Sequence, residues 1–479
     1  MRLSCASSLP KVGARRDILH KCSYPLRRGD REITYTASPI IHELGPAFFD
    51  PVVAADFPET VVRFRADKAA ESIGLDDMSD GDWVSHFGRF NPLKDNLPNP
   101  LALRYHGHQF RHYNPDIGDG RGFLFAQCRD GAGRYLDLGT KGSGQTPYSR
   151  RGDGRLTLLG GIREVLATNY LEYLGVNTSK SLSLIETGEA LQRGDEPSPT
   201  RSAVLVRLSH SHIRFGTFQR LAFLEQSDNL ARLVEYCCRY FYPDRTTAQD
   251  LFEAVIRSSA DTVASWMAAG FVHGVMNTDN MNITGESFDY GPYRFLPTLK
   301  SDYTAAYFDQ TGLYAFGRQP EAMHWNLGQL AQSLSLISDD KPLIAALETF
   351  ADHYCERLCH HVFRRLGLER KELELDTAFV LGTFKFLEES QTPWPQFWHD
   401  WQGGANQKAR CVSSPNAKFY QGDRFETWFT TLKNVAPNQG PSVGEGPPSL
   451  LYDDIGALWK PIDEQDDWTD FHEKVKSFT

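Results

Sequence analysis

The chain has no CxxC pair, and no uninterrupted apolar run approaches the roughly 18 residues that a membrane-spanning helix needs. The first absence argues against a zinc ribbon, and the second leaves no membrane partner to expect. Basic residues are outnumbered, with 51 Lys and Arg against 61 Asp and Glu, giving a net charge of −10. A negative surplus weighs against a nucleic-acid partner and favours a soluble chain, expected here as a monomer. There is no internal repeat.

What remains is ordinary globular composition, with 41% hydrophobic and 23% charged residues. A length of 479 residues allows a large core and more than one lobe. The eight cysteines are Cys5, Cys22, Cys128, Cys237, Cys238, Cys355, Cys359 and Cys411. Cys355 and Cys359 stand four apart in a helical stretch, on one face, and read as two thiols in a reducing compartment. Residues 1–30 stand apart. Arg2, Lys11, Arg15, Arg16, Lys21, Arg27 and Arg28 face only Asp17 and Asp30 there. Such a basic leader is either disordered or a transit peptide. The expected location is the bacterial cytoplasm, or the mitochondrion if the leader is a transit peptide.

The order of elements carries more. Residues 34–100 are rich in Pro and read as an extended wrap with a short helix near 66–73. From Gly118 the pattern becomes a Gly-rich turn, a strand over 123–128, a turn and a strand over 134–141. Leu158, Leu159, Ile162, Val165, Leu166 and Leu174 recur near the helical period, and Gly175 is a natural stop. Strands are expected over 181–186 and 203–208. Helices follow over 230–242, 248–269, 326–336 and 343–366, with a loop over 434–450. The fold class expected is α+β, a two-lobed protein-kinase-like fold. Residues 31–205 form a strand-rich N-lobe with one long helix, and residues 206–479 a mainly helical C-lobe.

The motifs agree with that layout. His273 and Asn280 are seven apart, the spacing of the protein-kinase catalytic loop, and Asp289-Tyr290-Gly291 follows like a D-F-G with Tyr for Phe. The base of an ordinary kinase would sit at position 275, which is Val275. The metal-holding half of a kinase site is therefore present and its usual base is missing. Either the site is inactive, or it does different chemistry on the same nucleotide.

Gly118-Asp119-Gly120-Arg121 precedes a strand, where glycines let backbone N–H groups approach phosphate. Lys141 ends the next strand, and Glu164 sits on the apolar side of the helix after it. That is the arrangement in which an acid orients a phosphate-binding lysine, since an inward acid needs a partner. Residues 141–155 are dense in Gly and Arg. Arg207 and Arg214 suit bidentate contacts to phosphate. Between them His210 and His212 are expected on one strand face, in packing or hydrogen-bonding roles. Asn280 and Asp289 supply the one or two oxygen ligands that Mg²⁺ takes from protein, with Asp279 a spare carboxylate beside them.

These stretches resemble the selenoprotein O family of protein adenylyltransferases. The resemblance runs through Tyr105-His-Gly-His-Gln-Phe110, Gly118 to Arg121, residues 141–150 and 152–155, and Ile162-Arg-Glu164. It continues through residues 211–218, 273–281 and 288–292 to Phe316-Gly-Arg-Gln-Pro320, and covers about residues 40–400. It implies a kinase-like fold that binds ATP in a flipped orientation. The family transfers AMP to Ser, Thr or Tyr hydroxyls of proteins. It implies Asp279 as proton acceptor, Asn280 and Asp289 as ligands of Mg²⁺ or Mn²⁺, and Gly118, Gly120, Arg121, Lys141, Asp153, Gly154, Arg207, Arg214 and Asp289 around the nucleotide, with Glu164 orienting the lysine. Residues 111–117 depart from the family's usual stretch, and the end of the chain carries no terminal Cys. The alternatives are a catalytically inactive nucleotide-binding scaffold and a γ-phosphoryl kinase.

Overall fold

Two apolar runs, Leu124–Arg129 and Tyr135–Lys141, pair as an antiparallel hairpin around a tight turn in which Asp130 accepts from the backbone of Ala132 and Arg134. The computed structural model describes residues 33–194, 196–438 and 446–478, so the leader over 1–30, Cys5 and Cys22 lie outside the described residues. The hairpin sits inside a nine-stranded antiparallel sheet. Its path runs Phe49–Pro51, Leu101–Leu103, Leu124–Arg129, Tyr135–Lys141, Thr200–Ser209, Lys180–Leu191 and Val61–Arg65. Two short strands, Thr36–Ala37 and Leu156–Thr157, pair beside this path.

Both faces of the sheet are covered. Alternation sends Val204 and Val206 to one side, with Trp83, Phe87, Phe123 and Phe125, and sends Leu205 to the other. On that second side lies the Leu158–Tyr173 helix, which buries Leu158, Ile162, Val165, Leu166 and Tyr170. Thr157 caps it by accepting from Gly160 N at 3.1 Å. A Cβ at Gly161 would meet Leu184 at 2.4 Å, so only glycine lets the helix lie this close. The remaining helices extend the same core. The Ala248–Ala269 helix is capped by Thr247 and closed by Gly270 at φ +71°, and it packs against Phe350–Leu366 and Gln319–Leu334.

Several expectations shift. The short helix expected near 66–73 is present as Asp67–Ser72, but the stretch 34–100 is more than a wrap: it also holds three strands and the helix Asp80–Phe87, whose Trp83 and Phe87 are fully buried. The helix expected over 343–366 is two, Asp340–Glu348 and Phe350–Leu366, joined at Thr349. The helix expected at 326 begins at Gln319, with Pro320 in its first turn, where a missing N–H costs nothing. The strand over 200–209 stops at Ser209, so His210 and His212 do not share a strand face. Cys359 is buried and Cys355 half-buried, with no disulfide between them.

One contact spans the chain. Asp466 in the 452–478 segment pairs with Arg63 at 3.0 Å and Arg201 at 2.7 Å, and both arginines also bind Glu186. Trp468 lies 5.1 Å from the Arg63 guanidinium, and Phe471 packs edge-on against Phe64. This segment therefore covers the Val61–Arg65 strand at the edge of the sheet.

Candidate active site

The lysine strand ends at Lys141, opposite Leu205 in register, and points its side chain into a cavity of about 710 Å³. The wall brings together Gly118, Gly120, Arg121, Lys141, Asp153, Gly154, Arg207, Arg214, Asp279 and Asp289. Glu164 lies behind the wall, 1% exposed, in an ion pair with the Lys141 ammonium. Asn280 is not in the wall. Its Nδ2 donates to the Val275 carbonyl at 2.9 Å, one residue beyond Asp279.

The deep end is a charge cluster. Lys141 Nζ lies 2.7 Å from Asp289 Oδ1, and Arg207 and Arg214 each stand 3.5 Å from the same carboxylate. Burial would raise Asp289, but these three cations hold it well below the usual carboxylate range. Asp289 sits at φ +65°, a conformation costly for a non-glycine residue and kept only where the surroundings fix it. Arg214 is fixed between rings, 4.6 Å from Tyr105 and 4.8 Å from Phe288, while its Nη1 donates to the Asp279 carbonyl at 2.8 Å. Arg207 Nε and Arg214 Nε are buried donors with no hydrogen-bond partner. Buried unpaired donors are rare, and a bound anion would satisfy these.

Asp279 is electrostatically different. Burial pushes its carboxyl up to about 6, Arg214 opposes this, and the Asp289 charge adds to it. Its Oδ1 is buried without a partner. Two acids of one cavity are thus split, one held ionised and one poised near neutrality, the pattern that assigns acid–base roles.

The shallow end is built from backbone. The Tyr148 ring lies over Gly118, where a Cβ would meet it at 2.5 Å, and Ser149 Oγ donates to Gly120 O at 2.5 Å. Gly142 N donates to Arg121 O at 2.6 Å, so the Arg-rich loop after Lys141 folds over the glycine segment. Asp153 holds Arg193 by contacts of 2.8 and 3.2 Å. The whole wall carries Arg121, Lys141, Arg150, Arg151, Arg155, Arg193, Arg207 and Arg214 against four aspartates, Asp119 among them. Such a wall suits a polyphosphate.

Tyr105, Gln109, Asp119, Arg150, Arg151, Arg155, Arg193 and His212 also line the cavity, and sequence reasoning did not single them out as site residues. For Arg150, Arg151 and Arg155 the Gly-and-Arg density of the loop is the signal. Arg193 had none, since it arrives from the turn between two strands. His212 packs on Gly139, where a Cβ would meet Nε2 at 2.1 Å, and its backbone N donates to Asp137 at 2.8 Å.

The unusual D-Y-G tyrosine is explained by its surroundings. The Tyr290 hydroxyl bonds Thr178 at 2.5 Å and Ser287 at 2.7 Å inside the core. Tyr290→Phe is expected to lose about 1 kcal/mol of stability, as a buried hydroxyl network loses a member. Thermal unfolding checks this, and an unchanged melting temperature would mean the two hydroxyls pair with each other at no loss. His273 Nε2 sits 3.2 Å from the Phe288 carbonyl, tying the 273–280 loop to the strained Asp289 turn.

Among the described residues no group of three or more His, Cys, Asp or Glu side chains is placed to hold a metal. The donors at hand are hard oxygens, the Asp289 carboxylate first. That set fits Mg²⁺ or Mn²⁺, which complete their shells with phosphates and water.

Comparison with known proteins agrees with this geometry. The family described as "Protein adenylyltransferase SelO" matches residues 31–479. The protein nucleotidyltransferase YdiU of Synechocystis sp. is 42% identical over 476 residues, covering 93% of this chain and 98% of the relative. The YdiU of Synechococcus elongatus is 45% identical over 466 residues, covering 91% and 93%. The YdiU of Pseudomonas aeruginosa is 36% identical over 345 residues, covering 71% and 70%.

Proposed function

The chain belongs to the SelO family of protein adenylyltransferases, and from that membership we propose how its own residues move AMP from ATP to protein hydroxyls. The observation that carries this reading is the split pair of acids. Asp289 is locked ionised among Lys141, Arg207 and Arg214, while Asp279 is raised to about 6 in the same cavity. Asp279 accepts the proton of a Ser, Thr or Tyr hydroxyl on the acceptor protein. The freed oxygen attacks the α-phosphorus, the bond from that phosphorus to the bridging oxygen breaks, and pyrophosphate leaves with the electron pair. Lys141, Arg207 and Arg214 stabilise the phosphate charge where it develops. Glu164 holds Lys141 in place. Gly118, Gly120, Arg121, Asp153 and Gly154 line the remainder of the nucleotide's path. A Mg²⁺ or Mn²⁺ ion held by Asp289 and Asn280 would supply further neutralisation of phosphate charge.

The arrangement of lysine strand, acid helix and D-Y-G turn supports a two-lobed kinase-like architecture. A strand-rich lobe would run from residue 31 to the end of the Thr200–Ser209 strand, with a helical lobe after it. No described helix is long and apolar enough to cross a membrane. A cytoplasmic monomer without nucleic acid fits ATP as substrate and the net charge of −10. The α/γ-label experiment tests the central claim. Incubated with divalent metal and an acceptor protein, label from α-³²P-ATP should enter protein and label from γ-³²P-ATP should not. Entry of γ label alone would make the chain a phosphoryl kinase, and entry of neither would favour an inactive scaffold.

A further inference from the structure

Between the strands Gly107–Gln109 and His112–Asn114 the chain turns through Phe110 and Arg111, at φ +50° and +65°. Two-residue turns of this hand favour Asn and Gly, so two large side chains here are held at a conformational cost. The restraint comes from the 277–279 loop itself. Phe110 N donates to Asn277 Oδ1 at 3.0 Å, and His108 N donates to Thr278 Oγ1 at 2.7 Å. Gln109, between them, lines the same cavity as Asp279. The strained tip is thus fixed to the loop that carries the proton acceptor.

On its outer side Phe110 packs against Phe308, with ring centroids 5.8 Å apart, and against Tyr314 at 5.0 Å. Phe308 and its neighbour Tyr307 remain 47% and 81% exposed. Their loop is well braced, because Asp309 accepts from Leu313 N at 2.9 Å and Tyr314 N at 2.8 Å. The nearby charges are already engaged: Arg111 and Arg318 both pair with Glu321, at 3.0 and 3.3 Å. What the surface offers a partner beside Asp279 is therefore aromatic area without free charge.

We propose that Phe110, Tyr307 and Phe308 form the seat for the acceptor polypeptide, taking a bulky apolar side chain next to the hydroxyl residue presented to Asp279. This inference rests on the adenylyltransferase reading, which supplies a protein as the second substrate. The seat selects acceptors by an apolar flank, and Gln109, next to Phe110 in the chain, lines the nucleotide cavity.

The test uses the full chain, a non-hydrolysable ATP analogue and two fluorescent peptides identical except for Leu or Gly beside one Ser. The Leu peptide should bind about tenfold more tightly, the effect of one well-seated apolar anchor. The double variant Tyr307→Ser with Phe308→Ser should erase that difference and melt close to the parent, since Tyr307 is mostly exposed and Phe308 half-exposed. Equal binding of the two peptides by the unaltered chain, or binding of neither, overturns the seat. A dimer of the unaltered chain that the double variant abolishes would show a second copy covering these rings, which also overturns it. The α-label transfer is scored separately on a protein acceptor. Its failure would remove the adenylyltransferase reading whatever the peptides do, whereas equal peptide binding with intact transfer removes only the seat.

Discussion

Asp279→Asn is expected to lower AMP transfer by about 10³-fold, within the range that a positioned general base contributes. The same change should make the protein more stable at neutral pH. The Asp279 carboxyl is raised in the fold to about 6 from 3.8, chiefly by burial. A group raised in this way contributes stability that is fully present below about pH 4 and lost as pH rises through about 6. At pH 8 the buried carboxylate is therefore a liability of roughly 3 kcal/mol, which the neutral amide removes. The difference between variant and parent should grow from about pH 4 to about pH 6 and level above that. Activity has the opposite sign, because only the ionised carboxylate accepts a proton. The kcat/KM for ATP, which reports the free enzyme, should rise through about pH 6 and lose that limb in the variant. Chemical denaturation at several pH values and a pH–rate profile check the two halves. A variant with full activity would place the base elsewhere in the cavity.

The second large effect concerns Lys141. Lys141→Ala should lower transfer by 10²–10³-fold, as for loss of one preorganised donor to a developing charge. It should also destabilise by about 3 kcal/mol or more, because Glu164 is left buried with no counter-ion, its Oε2 already lacking a partner. Glu164→Gln keeps the shape and should lose turnover while the fold survives. Lys141→Met with Glu164→Leu would recover stability in full if Glu164 were the only partner of the lysine, since an apolar pair can replace a buried ion pair. The structure changes that expectation, because Lys141 also holds Asp289 at 2.7 Å. The double variant should recover the part owed to Glu164, while Asp289 leans on Arg207 and Arg214, both 3.5 Å away. Melting temperatures of the single and double variants give the coupling directly. Additive effects would show that the two side chains do not share an interaction.

The lining of the cavity was legible in the sequence wherever local spacing marked it. The seven-residue interval from His273 to Asn280, the Asp289 turn, the Lys141 strand and the Glu164 helix each leave a mark in consecutive residues. In the structure the cavity gathers Lys141, Asp279 and Asp289, with Glu164 directly behind. What the chain hid is whatever arrives from far along it. Arg193 reaches the wall only because two strands pair, and Asp153 restrains it there. His212 was read as a strand residue because apolar and polar residues alternate up to Ser209. Past Ser209 the chain leaves the strand and brings the His212 ring against Gly139, which no local pattern shows. The long helix expected over 343–366 broke at Thr349 because an unbroken apolar stripe does not register a change of direction. Half-buried turns such as Phe110-Arg111 are the hardest to anticipate, since there local preference is overruled by contacts with a loop far away in sequence.

The pairing of Asp466 with Arg63 and Arg201 also bears on how the molecule is made. Val61–Arg65 is an outer strand of the sheet, and a bare outer strand is a template for pairing with another chain. Its cover is the segment carrying Trp468 and Phe471, which leaves the ribosome after every strand of the sheet has been made. Through most of synthesis the strand is open, guarded only by Arg63, Arg65 and their charge. Aggregation during expression, more than loss of catalysis, is the defect to expect when Asp466, Trp468 or Phe471 is altered.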